Sequence, residues 1–248
     1  MKGQFIDLNV DLGEGCGNDA ALIAHASSAN IACGGHAGDE HSIRTAMDAC
    51  LERGVAIGAH PGHEDPVHFG RRALDLPLEQ IRAAVSRQLE HFIRHAERAG
   101  AAVRHVKLHG ALYHQANENP ELAHTLAVAI GGLLPGCHVY TPADRAFARA
   151  AAESGLIGVP EAFADRRYSV SGNLVPRERP DALIVHPNQA VSQALEIVRS
   201  QRVRTLEGAW LSVPALTLCI HGDTPHALSM LQALAHALAR SGIRLQAP

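Results

Sequence analysis

Aromatic side chains, lysine and paired cysteine are what this chain has little of, and each shortage narrows its function. Aromatics make up 4% of the 248 residues, leaving Tyr113, Tyr140, Tyr168 and Trp210 as the rings suited to stacking on a sugar. No basic stretch interleaves with them and the formal net charge is -3, so no nucleic-acid partner is expected. No apolar stretch reaches the roughly 18 residues of a membrane span. A strand pattern opens at Phe5, too early for a secretory leader. The five cysteines, Cys16, Cys33, Cys50, Cys137 and Cys219, are odd in number and include no Cys-x-x-Cys pair. Such spacing fits reduced thiols and a cytoplasmic location better than a disulfide framework. Cys33 and Cys219, inside strand-like runs, read as small core residues. Phosphate-loop, dinucleotide-loop and nucleophile-elbow glycine motifs are missing, which weighs against nicotinamide chemistry and serine hydrolysis.

Lysine is the sharpest shortage. Among 22 lysines and arginines only Lys2 and Lys107 are lysine, so bulk positive charge is carried by arginine. A lysine kept inside an apolar run, two residues before His109, indicates a need for a compact or tunable amine. Strand alternation puts Lys107 and His109 on one face. A structural pairing of Lys107 with a core acid would explain the same pattern.

What is present is a 46% hydrophobic share arranged as alternating strand and helix signals. Strands are expected at 5–11, 29–33, 55–59, 103–108, 138–141, 156–160 and 215–220, with helices between them. An apolar stripe at helical spacing runs through 79–98. Asn119-Pro120-Glu121 reads as a capped helix start, and Thr224-Pro225 as another. These signals predict one α/β domain over residues 1–248, a seven-stranded (β/α) barrel with an aliphatic core; a doubly wound open sheet is the alternative. The Arg-, Gly- and Pro-rich stretch 161–187 reads as a functional loop.

Four of the apolar runs break off at a histidine: His36, His60, His109 and His221. The carboxyl end of a parallel strand is where such folds place active sites. Asp11, Glu14, Lys107 and Asp223 stand at similar places, which predicts one converging site. Asp11 and Glu14, in Asn9-Val-Asp-Leu-Gly-Glu14, suit a divalent ion or a general base, although either alone would serve as a helix cap. Asp223 suits an N-cap equally well.

Taken together, these segments resemble the LamB/YcsF family, which supplies the A subunit of the ATP-dependent 5-oxoprolinase. The resemblance rests on Asn9-Val-Asp-Leu-Gly-Glu14, Ser28-Ala-Asn-Ile-Ala-Cys33, Gly35-His-Ala-Gly-Asp39, Gly58-Ala-His-Pro61 and Phe69-Gly-Arg-Arg72. It continues through Val106-Lys107, His109-Gly110, Leu112-Tyr113, Glu161, Phe163-Ala-Asp-Arg166, Tyr168, Leu174-Val-Pro-Arg177 and His221-Gly-Asp223. It implies a barrel of the glycoside hydrolase/deacetylase type that cleaves 5-oxo-L-proline to L-glutamate with ATP, alongside subunits B and C. Gly35, where an aromatic is common, and His114, where Asn is common, depart from the pattern.

A lactam is a weak electrophile, so its hydrolysis needs a polarised or phosphorylated carbonyl, an activated water and a proton for the leaving nitrogen. The expected assignment gives Lys107 the developing negative charge. Asp11 or Glu14 with His60 activates water, and His109 or His221 supplies the proton. His36, Arg72, Asp165, Arg166, Arg177 and Asp223 are expected to bind substrate or nucleotide, with the arginines clamping a carboxylate. ATP is expected with Mg2+. By likeness to sugar deacetylases, Asp11, His60 and His109 are a candidate set for a protein-bound divalent metal. Two rival functions stay open: a metal-dependent deacetylase or amidohydrolase acting alone, and a non-catalytic 5-oxoproline-binding subunit.

Overall fold

β1 (Phe5–Leu12) shows how the structure is built: Leu8, Val10 and Leu12 join the apolar core, while Asp7, Asn9 and Asp11 point the other way. The structure is a computed structural model, and it describes residues 4–248; Lys2 lies outside the described residues. After β1 come α1 (Asp19–Ile23), β2 (Ser28–Ala32), α2 (Glu40–Arg53), β3 (Ala56–His60), α3 (Leu78–Ala99) and β4 (Val103–Val106). Then follow α4 (Gly110–Glu118), α5 (Pro120–Leu133), β5 (His138–Thr141), α6 (Ala146–Glu153) and β6 (Ile157–Phe163). The chain continues through α7 (Pro187–Ser200), β7 (Arg202–Arg204), β8 (Trp210–Ser212), β9 (Thr217–Ile220), α8 (Ala227–Arg240) and β10 (Arg244–Leu245).

Seven parallel strands close into a barrel in the order β1-β2-β3-β4-β5-β6-β9, and β9 pairs back onto β1. β10 extends β1 at its amino end through Phe5 and Ile6. The open-sheet alternative is thereby excluded. β7 and β8 form a separate antiparallel hairpin, which apolar patterning did not announce. No described helix is long and apolar enough to cross a membrane.

The apolar core lies between barrel and helices, not inside the barrel. Ile81, Val85, Leu89, Phe92 and Ala96 bury the expected stripe of α3. Asn119 caps α5, accepting from the Glu121 and Leu122 amides. At α8 the expected cap is absent: the helix starts at Ala227 after His226 in a left-handed conformation, and the Thr224 hydroxyl is committed to Asp165.

The lumen corrects the aliphatic expectation. Asp7 accepts from Ser27, Ser28 and Thr217 hydroxyls at 2.6, 2.7 and 2.6 Å. Asn9 donates to Thr217 and Glu161, and Asn30 donates to Asn9 and Asp11. His105 donates to Asn30 at 2.7 Å and lies flat on Tyr140. Gly58 is obligatory beside it, because any Cβ there would overlap the imidazole. Most barrel-strand residues are buried, those of β1, β2, β3 and β9 almost throughout, so alternation there separates a hydrogen-bonded interior from an apolar exterior.

Candidate active site

The carboxyl ends of the strands open into a cavity of about 490 Å³ whose wall includes Asp11, His60, Lys107, His109, Arg166 and His221. β4 ends before Lys107, but the backbone runs on extended, with the Lys107 amide bonded to Ala59 O and that of His109 to Pro61 O. That keeps both side chains facing the mouth.

Lys107 stands at the floor, 2% exposed. Its Nζ lies 3.0 Å from Asp11 Oδ1, 3.1 Å from Glu161 Oε1, 2.9 Å from Cys219 Sγ and 3.3 Å from Asn9 Oδ1. An ammonium has three protons to donate, and these acceptors use them all. Lys107 thus lines the cavity floor with its protons already taken by neighbouring side chains, the position from which it acts on Asp11. Burial disfavours the charged amine, but Asp11, Cys219 and Glu161 outweigh it and hold Lys107 well above its ordinary range. Burial likewise pushes the Asp11 carboxyl up, yet Lys107 and then His60 more than offset this and keep it well below. Cys219, expected to be simple core, faces the lumen as an acceptor.

Beside this floor four further groups meet. His36 Nε2 lies 3.0 Å from Glu14 Oε1, which lies 3.4 Å from His109 Nδ1 and 3.9 Å from His60 Nε2. His60 Nε2 is 3.0 Å from His109 Nδ1 and 3.5 Å from Asp11 Oδ2. Burial, then the negative charges of Asp11 and Asp223, push the Glu14 carboxyl well above the usual carboxylate range. Burial pushes His36 down to about 2, helped by His60, and holds His109 well below its ordinary value, helped by His36 and His60. His36 is buried and stacked on His109, so it supports the wall instead of contacting a ligand as expected. The Gly35 departure has a local reason: Gln88 fills the space a side chain at 35 would need, and clasps both the amide and the carbonyl of Gly62.

On the far wall His221 Nδ1 donates to Asp165 Oδ2 at 2.9 Å, and the Thr224 hydroxyl and the His221 amide converge on the same oxygen. Burial raises Asp165, but His221 and these donors bring it down to about 2. Asp165 therefore orients His221; it is buried and does not touch the cavity. Asp223 is no helix cap: it ties Arg71 and Arg177 together at the rim. Arg72 is exposed and outside the cavity wall, and Arg71 stands in its place. Left-handed backbone at Phe69 and Gly70 turns the chain so that Arg71 faces inward. Arg166 is 5% exposed, donates Nη2 to Val175 O at 2.7 Å, and leaves Nε without a partner.

Sequence reasoning missed Glu161 as a site residue, although it sits one alternation step before Phe163 on the lumen face. It also missed Tyr113, whose hydroxyl donates to Glu161 Oε2 at 2.9 Å. His114, the other departure, lines the cavity, and burial takes it down to about 4, with Arg166 and His221 adding to the shift.

The LamB/YcsF family model matches residues 6–248. The chain belongs to the LamB/YcsF family. A lactam utilization protein from Thermus thermophilus has a similar structure, with TM-score 0.91 and 36% identity over 99% of this chain and 100% of that one. A peptidoglycan deacetylase from Bacillus subtilis matches with TM-score 0.53 and 8% identity, covering 99% of this chain and 88% of its own. A family 4 carbohydrate esterase from Streptomyces lividans gives 0.50 and 13%, covering 98% and 92%. At those identities the last two speak for the fold alone: this LamB/YcsF chain has a deacetylase-type barrel.

Proposed function

We propose that this chain is the A subunit of an ATP-dependent 5-oxoprolinase and opens the lactam ring of 5-oxo-L-proline to give L-glutamate. The observation that carries this reading is a carboxylate base and an oriented imidazole facing one small cavity rimmed by guanidinium groups. The name of the Thermus relative speaks of lactam utilization, and the cavity has the chemistry a small anionic lactam requires.

Arg166, Arg177 and Arg71 receive the substrate carboxylate; Arg166 lines the cavity and its buried Nε has no other partner. Lys107 keeps Asp11 ionised and fixes Oδ1, leaving Oδ2 beside His60 as the base that takes a proton from water. The water oxygen bonds to the ring carbonyl carbon, the carbon–nitrogen bond breaks, and His221 gives a proton to the departing nitrogen. Asp165 holds His221 in orientation and balances its positive form. Ring opening consumes one water and ATP hydrolysis a second. The nucleotide, with Mg2+, acts in the assembly with subunits B and C, in the cytoplasm.

The test is glutamate release from 5-oxo-L-proline by this chain alone and with subunits B and C, each with and without ATP. Release is expected only from the full assembly with ATP. Release by the isolated chain without nucleotide would replace this reading with a stand-alone amidohydrolase. Undiminished release by an assembly carrying Asp11→Asn and His221→Gln would make the chain a binding subunit.

A further inference from the structure

We infer that Glu14, His60 and His109 form a divalent-metal site beside the Lys107 cluster. His60 Nδ1 lies 2.8 Å from Lys107 O, and His109 Nε2 lies 2.8 Å from Phe69 O. A carbonyl oxygen only accepts, so each of those nitrogens carries a proton. The bare nitrogens, His60 Nε2 and His109 Nδ1, then face each other at 3.0 Å with two lone pairs and no proton between them. Such a pair needs a shared proton or a metal cation, and the carboxylate beside it favours the metal. Backbone carbonyls on the outer nitrogens are also the usual means of orienting metal-binding imidazoles.

Glu14 Oε1 supplies a third donor. The three donor separations are 3.0, 3.4 and 3.9 Å. Bonds of about 2.0–2.2 Å in a tetrahedral arrangement put ligand atoms about 3.3–3.6 Å apart, which these values bracket. His36 is not a fourth ligand. Its ring is stacked on His109 at 3.5 Å and 1°, so the two in-plane lone pairs run parallel and do not meet at one ion. It steadies Glu14 instead. Asp11, expected in the metal set, gives way to Glu14 here: its Oδ1 is held by Lys107 and Asn30, and the Oδ2 that faces His60 at 3.5 Å is the oxygen assigned to the base. In the neighbouring donor group Asp11, Cys219 and His221, Asp11 and Cys219 are served by the Lys107 ammonium and His221 by Asp165, whereas among the described residues no lysine or arginine pairs with Glu14, His60 or His109.

Two imidazoles and a carboxylate suit Zn2+ or a similar late divalent ion better than Mg2+ or Ca2+, which prefer all-oxygen surroundings. His60 and His109 line the cavity, so an open position would face substrate. The role, though not the presence, of the ion rests on the lactam reading: it would supply Lewis-acid polarisation of the carbonyl, while the Lys107 protons are taken by Asp11, Glu161 and Cys219.

Glu40, His91 and His95 form a second donor group on α2 and α3, so the test uses His91→Gln/His95→Gln as its reference protein. That protein is stripped with chelator and titrated with Zn2+ by calorimetry, with Co2+ absorption as a spectroscopic check of the ligand field. One ion per chain is expected, with a rise in Tm. Glu14→Gln and His109→Gln, made separately in this background, are each expected to weaken binding at least about 100-fold and to abolish that rise. No binding by the folded reference protein, or binding unchanged in both variants, would overturn the site. Zn2+ binding without lactam turnover would sink the proposed function alone, and lactam turnover at full rate by metal-stripped protein would overturn the ion's Lewis-acid role while leaving the lactam reading standing.

Discussion

Two donor clusters share one mouth, and they differ in where their cation comes from. Around Lys107 the chain supplies its own: one ammonium satisfies Asp11, Glu161 and Cys219, and Asp11 stays ionised. Around Glu14 it supplies none: three imidazoles surround a carboxyl that burial drives toward its protonated form. Similar residue types therefore give a permanently charged base on one side and a receptor for positive charge on the other. A wide polar lumen makes this possible, because Asn9 and Asn30 tie the floor to strands on several sides.

The largest difference is expected from charge removal. Lys107→Met leaves Asp11 and Glu161 buried without their cation and is expected to cost about 3–5 kcal/mol, read by urea unfolding. Glu14→Gln, with no internal cation to strand, is expected to leave the stability of metal-free protein within about 1 kcal/mol. Equal losses in the two variants would erase the distinction. Next comes His221→Gln, which removes the proposed acid while leaving the carboxylate clamp in place. The expected loss in kcat is about 10²–10⁴-fold with KM little changed, measured on the reconstituted assembly. Arg177→Ala should do the reverse, raising KM by about 10–100-fold, the equivalent of one charge-assisted hydrogen bond of about 1.5–3 kcal/mol, with a smaller change in kcat.

The seven barrel strands and the converging histidines were legible because short β-branched runs ending in a polar residue are local signals. Lys107 stood out by composition alone. The polar lumen was less legible. Asp7, Asn9 and Asp11 alternate openly, but a strand buried on both faces usually reads as continuously apolar. The division of labour between Asp11 and Glu14 had no local signature, since it depends on Lys107 arriving from the end of β4. The choice of Arg71 over Arg72 turns on two left-handed residues, Phe69 and Gly70. A proline after Thr224 resembled a helix start, yet Asp165, far away in sequence, claims that hydroxyl.

The smallest effect is a pH dependence that belongs to the lumen and not to either cluster. Burial, with Lys107 and His138 adding to it, depresses His105 to about 3, against about 6.5 in the unfolded chain. The unfolded state therefore takes up a proton below about 6.5 that the folded state refuses, and stability falls as pH drops through that value. From about pH 6.5 to about 5 this one group removes about 2 kcal/mol. His105→Gln should flatten the urea-unfolding profile by about one proton over that range; an unchanged slope would show that His105 titrates normally.

Glutamate release from 5-oxo-L-proline by the assembled subunits with ATP, comparing wild type with Asp11→Asn, tests the shared mouth most directly. The substitution preserves size and leaves Glu161 on Lys107, so the chain is expected to fold and to assemble with its partners. Its rate is expected to fall by about 10³-fold. Turnover at the wild-type rate would contradict a role for the Lys107-held carboxylate in opening the ring.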